Sequence, residues 1–198
     1  MKWTAETAVH FLFWERKDRE NGPISEPVVF CEGYIRRSKM IAVEIENIKR
    51  FMAGFLAGDL FDDFLMNGGK LSMDIAYEFN GKVLKEFYDT EEWEEYGIYP
   101  YIPWEREKAR MFGLIKGKKT PLSFQFVMML KPEKVEKFLE KYNLAAGQDE
   151  IAGLFINLLY DRKSLKCTSG VSRRSFTMDR GVEEYWDVEV KERLKEFM

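Results

Sequence analysis

Two stretches carry residue types that acid, base or nucleophilic chemistry needs. Cys167-Thr168-Ser169-Gly170 offers a thiol and two hydroxyls. A nucleophile of either kind needs a base within hydrogen-bond reach. The only histidine is His10, near the N-terminus, and Lys166 and Arg173 are poor substitutes. No Gly-x-Ser-x-Gly occurs, so a strand cysteine followed by a small-residue bend is the stronger reading. The acids Asp59, Asp62 and Asp63, with Glu91, Glu92, Glu94 and Glu95, offer oxygen ligands. They lack the alternating Asp/Asn and closing Glu of a calcium loop, and consecutive acids more often cap or solvate a helix. One histidine removes the usual His-based zinc sites. We therefore assign no catalytic residue, no metal ligand and no cofactor.

Two further stretches point to binding. Arg106, Lys108, Arg110, Lys116, Lys118 and Lys119 form a basic cluster around Gly117. Ammonium groups at a helix C-terminal turn present charge to phosphates, which makes the cluster the anion or nucleic-acid candidate. It is not a P-loop, which needs two spaced glycines before Lys-Ser/Thr. Lysines also gather at helix C-termini through the macrodipole, and Glu105 and Glu107 dilute the charge, so a solvated surface is the favoured reading. The second stretch, Tyr96 to Trp104, holds Tyr96, Tyr99, Tyr101 and Trp104 with Pro100 and Pro103. It reads as a stacking platform for a base or a proline-rich partner, or as a lid over a sheet face. The lid is favoured, because exposed aromatic patches are costly on monomers.

The elements that position these residues follow from hydrophobic period. Ile41, Val43 and Ile45 alternate as a strand, and Asn47 suits the N-cap of a helix through Ile48, Phe51, Met52, Phe55 and Leu56. Leu60, Phe61, Phe64 and Leu65 form a short apolar stripe that ends at Asn67-Gly68-Gly69. Leu71 to Phe79 alternates throughout and predicts one strand. Asn80-Gly81 predicts a hairpin turn, with Val83 to Tyr88 returning as the partner strand. An acidic helical turn over Thr90 to Glu95 follows, then a helix over Glu105 to Ile115 that Gly117 ends. Leu122 to Met128 predicts a strand, and Pro132 the first turn of a helix. Ile151 to Tyr160, apolar on both faces, predicts a central strand. Leu165 to Ser169 and Arg174 to Met178 finish the sheet, and Asp179 caps a last helix lined by Val182, Trp186, Val190 and Leu194. The expected fold is α+β: a mostly antiparallel sheet from two strand–helix–strand-meander units, with a C-terminal amphipathic helix.

The whole chain has 198 residues, 45% hydrophobic, 33% charged and 15% aromatic, with net charge −3. That balance excludes a disordered composition and lacks the basic excess of most nucleic-acid domains. No apolar run reaches membrane-spanning length, so no membrane partner is expected. Two cysteines suit a reducing compartment. With no secretory signal pattern at the N-terminus, the expected location is the cytoplasm. Residues 1–39 read differently from the rest. They are open to three readings: an arm on the domain, a hairpin of His10 to Trp14 with Val28 to Cys31, or an upstream extension before a natural start at Met40. Residues 40–198 read as a single α+β domain.

Phe51-Met52, Asp59-Leu60-Phe61-Asp62-Asp63-Phe64-Leu65 and Lys85-Glu86-Phe87-Tyr88 resemble a bacterial family of unknown function, the domain-of-unknown-function 5721 group. So do Leu114 to Phe124, Gly153-Leu154-Phe155-Ile156-Asn157, Cys167-Thr168-Ser169-Gly170 and Phe176-Thr177-Met178-Asp179. The resemblance implies a start near Met40 and supplies no catalytic residues. The order of units also resembles half of a DNA sliding-clamp subunit, a fold-level analogy. The reading that follows is a non-enzymatic binding or scaffold domain with a protein partner. The alternatives are a clamp-like nucleic-acid protein acting through the basic cluster, or an enzyme using carboxylate and lysine chemistry without histidine.

Overall fold

The computed structural model describes residues 40–198. The arm, hairpin and upstream-extension readings of residues 1–39 lie outside the described residues. In chain order the elements are β1 (Ala42–Glu44), α1 (Ile48–Leu56), β2 (Phe64–Ser72), β3 (Ala76–Phe79), α2 (Thr90–Tyr96), β4 (Ile102–Pro103) and α3 (Trp104–Ile115). There follow β5 (Ser123–Leu130), α4 (Pro132–Lys141), β6 (Ile151–Tyr160), β7 (Leu165–Arg173) and α5 (Gly181–Leu194). Single 3-10 turns occupy Lys85–Phe87, Gln148–Glu150 and Lys195–Phe197.

The fold is α+β, with one antiparallel sheet in the order β1-β7-β6-β5-β2-β3, and β4 pairing with the start of β2. Two units repeat the order strand, helix, strand pair: β1-α1-β2-β3 and β5-α4-β6-β7. Their pairing differs. β5 lies beside β6 within its own unit, whereas β1 closes onto β7 of the other unit.

Alternation along the strands sends Phe124, Phe126, Met128 and Leu130 of β5 to one face, with Leu154, Ile156 and Leu158 of β6. The apolar faces of α1, α3, α4 and α5 complete the same cluster. Phe55, Trp104 and Phe126 pack with ring centroids 4.3–5.8 Å apart, and Trp186 bridges Phe64 and Phe138. The helices form where the apolar period is 3.6, with end signals in place. Asn47 Oδ1 accepts from Arg50 N at 3.1 Å, and Pro132 opens α4.

Four expectations are corrected. Leu71 to Phe79 is a hairpin, not one strand. Its three-residue loop, 73–75, lies between the paired Ser72 and Ala76, and Asp74 Oδ1 accepts from Ile75 N. The reversal keeps Leu71 and Tyr77 opposite each other, so alternation continues through it unbroken. Asn67-Gly68-Gly69 lies inside β2, with a register shift between Met66 and Gly68. A Cβ on Gly69 would sit 2.7 Å from the Phe126 ring, so the residue marks a close approach instead of a turn. Asn80-Gly81 does turn the chain, with Gly81 at φ 64°. It leads, however, to an isolated Lys82–Tyr101 bridge and a 3-10 turn, not to a partner strand. At the other end, Arg174 to Met178 is a loop after β7.

Candidate functional site

The basic cluster is contiguous in sequence but not in space. Positions two apart on a helix point about 200° apart, so Arg106 and Arg110 face one way and Lys108 the other. Lys108 turns inward and donates to Gly58 O at 2.7 Å and to both Asp62 oxygens at 2.6 and 2.7 Å. Arg110 reaches back to Glu107, and the Arg106 guanidinium lies 3.8 Å over the Tyr96 ring. Lys116, Lys118 and Lys119 remain exposed beyond the end of α3.

The aromatic stretch is divided among supporting roles. Trp104 is fully buried and stacks on Phe55 at 4.3 Å. Its Nε1 donates to Phe55 O at 2.8 Å, one of the last four carbonyls of α1, which have no partner within the helix. Tyr99 OH donates to Glu133 Oε1 at 2.7 Å. Burial, and then that carboxylate, push the phenol up to about 12. Tyr96 lies between Arg106 and Tyr88, and Tyr101 bridges to Lys82.

Together these contacts anchor a lobe, residues 83–103, that presents other side chains. Leu84, Phe87 and Ile98 are 58%, 82% and 68% exposed. Leu84 and Phe87 flank the 3-10 turn three residues apart, a spacing that eclipses side chains. Val83 N donates to Pro100 O, which brings the Leu84 and Ile98 segments alongside each other. Asp89 and Glu92 form a reciprocal capping box at the start of α2. Six acids against one lysine make the lobe strongly acidic. Sequence reasoning missed the three apolar residues because Val83 to Tyr88 was read as a strand. The Asp89-x-x-Glu92 box marks the start of the helical turn expected at Thr90 and carries no sign of the exposed residues before it.

Polar groups elsewhere are structural. The Cys167 thiol is pushed up to about 12 by burial between β1 and β6. Ser169 Oγ donates to Asp187 and accepts from Ile41 N, tying β7 to α5 and to the start of β1. A groove of about 490 Å³ runs beside β1, lined by Glu44, Glu46, Lys163, Ser164, Lys191 and Met198 among others; the Ser164 hydroxyl points to Asp161. Among the described residues no three His, Cys, Asp or Glu side chains gather as a metal site. No helix among them is long and apolar enough to cross a membrane.

The model of a family of unknown function (DUF5721) matches residues 54–197. No curated protein and no solved structure matches the chain.

Proposed function

Because this chain belongs to the family of unknown function DUF5721, its activity has to be read from its own surface, and we propose that residues 40–198 are a non-enzymatic binding domain that engages a protein through the lobe at 83–103. The observation that carries this is the exposure of Leu84, Phe87 and Ile98 on a segment held by the Arg106–Tyr96 cation–ring contact, the Tyr99–Glu133 hydrogen bond, ring contacts and a capping box. Apolar side chains on a pinned support cost little further ordering on binding, and aromatic anchors supply most interface energy. In this reading Tyr96, Tyr99, Tyr101 and Trp104 are the frame of the binding surface. The proposal includes a bacterial cytoplasmic setting, in keeping with the unpaired Cys167.

The test is site-specific photo-crosslinking in cells, with the probe at position 87 and, as a control, at position 159 on the opposite sheet face. One protein, identified by mass spectrometry, is expected at 87, absent at 159 and lost when Leu84→Asp is added. Equal yields at both positions would remove the reading. The nucleic-acid alternative has its own outcome. Duplex DNA binding with a salt slope that falls when Lys116, Lys118 and Lys119 become alanine would favour it instead.

A further inference from the structure

The charge around Leu84, Phe87 and Ile98 selects what can cover them. From Lys82 to Arg106 the chain holds seven acids and three cations, a net charge of −4 against −3 for the whole protein. Six of those acids, Glu86, Asp89, Glu91, Glu92, Glu94 and Glu95, lie within the lobe, and all six are exposed. Among the described residues no ion pair holds any of them. Asp62, Asp63, Glu105, Glu107, Glu183 and Glu189, by contrast, are all paired. The lobe's own lysine is turned onto the lobe: Lys85 Nζ lies 5.8 Å over the Trp93 ring. Arg106, at the border, is likewise committed to the Tyr96 ring.

α2 turns the charge outward. Trp93 and Tyr96 pack on Tyr88, with ring centroids 6.2 and 5.6 Å away, and so define the inner face of the helix. At about 100° per residue the opposite face carries Glu91, Glu94 and Glu95, spaced i, i+3 and i+4. Like charges at that spacing repel one another, so the free lobe holds a repulsion that a bound cation relieves. Tyr88 also packs at right angles on Phe87, 5.3 Å away. One aromatic stack thus ties the acid stripe to the apolar residues, and Glu86 stands between Leu84 and Phe87 in the chain.

We propose that the partner of the lobe is a basic amphipathic segment of another protein. Its apolar side chains cover Leu84, Phe87 and Ile98, while its lysines and arginines meet the carboxylates of Glu86 and of the α2 stripe. The same charge repels polyanions, so neither a phosphate backbone nor an anionic lipid surface suits this face. The two parts of the surface act on different rates. Rim charges govern encounter and its salt dependence, whereas the apolar anchor governs dissociation. The inference rests on the reading of the lobe as a protein-binding surface, and it states the chemistry of the partner.

The test uses the full chain and two fluorescent peptides, each about five helical turns long. One is leucine and lysine in amphipathic helical order; the other has glutamate in place of lysine. Stopped-flow mixing at low and high salt gives both rates. The lysine peptide is expected to bind at least about tenfold more tightly than its glutamate counterpart, with an association rate that falls as salt rises. Glu91→Gln, Glu94→Gln and Glu95→Gln together should slow association about tenfold and flatten its salt dependence. Phe87→Ser should instead speed dissociation about tenfold. All four side chains are exposed, and the capping acids Asp89 and Glu92 are untouched, so circular dichroism melts should match the parent. Equal affinity for the two peptides, or binding of neither, overturns the proposal, as does indifference to the triple change. If position 87 crosslinks a protein whose contact segment, mapped by mass spectrometry, has no excess of lysine and arginine, the basic partner is wrong and the lobe reading stands. If position 87 crosslinks nothing beyond the control, both fall.

Discussion

Glu107 sits one turn into α3 with its side chain only 4% exposed. Its Oε2 has no hydrogen-bond donor aimed at it, although Arg110 Nη1 lies 3.1 Å away. Burial raises its pKa above the ordinary glutamate range, against the opposing pull of Arg110 and Arg106. A carboxyl whose folded pKa is raised takes up a proton on folding. Its contribution to stability is therefore full below the ordinary range and is lost as pH rises through the folded value. Glu107→Gln removes that loss and should gain about 1 kcal/mol at neutral pH, with no gain in acid. Thermal melts from pH 4 to pH 8 check this; parallel pH profiles for the two proteins would refute it. The buried Cys167 makes a simpler prediction. With its thiol pushed up to about 12, alkylation should proceed only as fast as the protein unfolds. Fast labelling of Cys167 itself in the native protein, located by peptide mass because Cys31 is also present, would contradict its placement.

At the scale of elements, the segment between α1 and β2 has no regular structure and is held from both sides. Lys108 of α3 grips Gly58 O and Asp62, and Arg193 of α5 forks onto Asp63 while also donating to Leu60 O. Lysine cannot reproduce that fork. Arg193→Lys should therefore speed amide exchange over residues 58–63 while leaving α1 protected; unchanged exchange would show that the fork adds nothing. Trp104→Phe should cost about 1 kcal/mol by stripping the donor from Phe55 O, and Trp104→Ala about 3–5 kcal/mol through the cavity as well. Urea unfolding separates the two. These elements also show what patterning can and cannot reveal. α1, α4, β5 and β6 were legible because a single period ran from one capping signal to the next. The β2–β3 hairpin was not, because its loop preserved the alternation that identifies a strand. The basic cluster misled for a related reason: neighbours in sequence on α3 point to opposite sides, and only the packing reveals that Lys108 is already committed.

For the whole molecule, the net charge of −3 hides an uneven distribution. The lobe is acidic and the Arg174 loop is not, so solution behaviour should depend on salt more than the small total implies. The whole-chain total hides this, although the acids of 83–103 stand together in the sequence. The pairing of β1 has a further result, in time instead of space. β1 is the first strand described, yet its strand partner is β7, and the Ile41–Ser169 hydrogen bond spans 128 residues. Backbone entropy must be given up over that whole interval before the contact returns anything, which places refolding in the milliseconds-to-seconds range of sheet proteins. During synthesis the order is stricter still. The hairpins β2–β3 and β6–β7 can each close as they emerge, but β1 has to wait, its hydrogen-bonding edge unsatisfied, until almost the last of the sheet has left the ribosome.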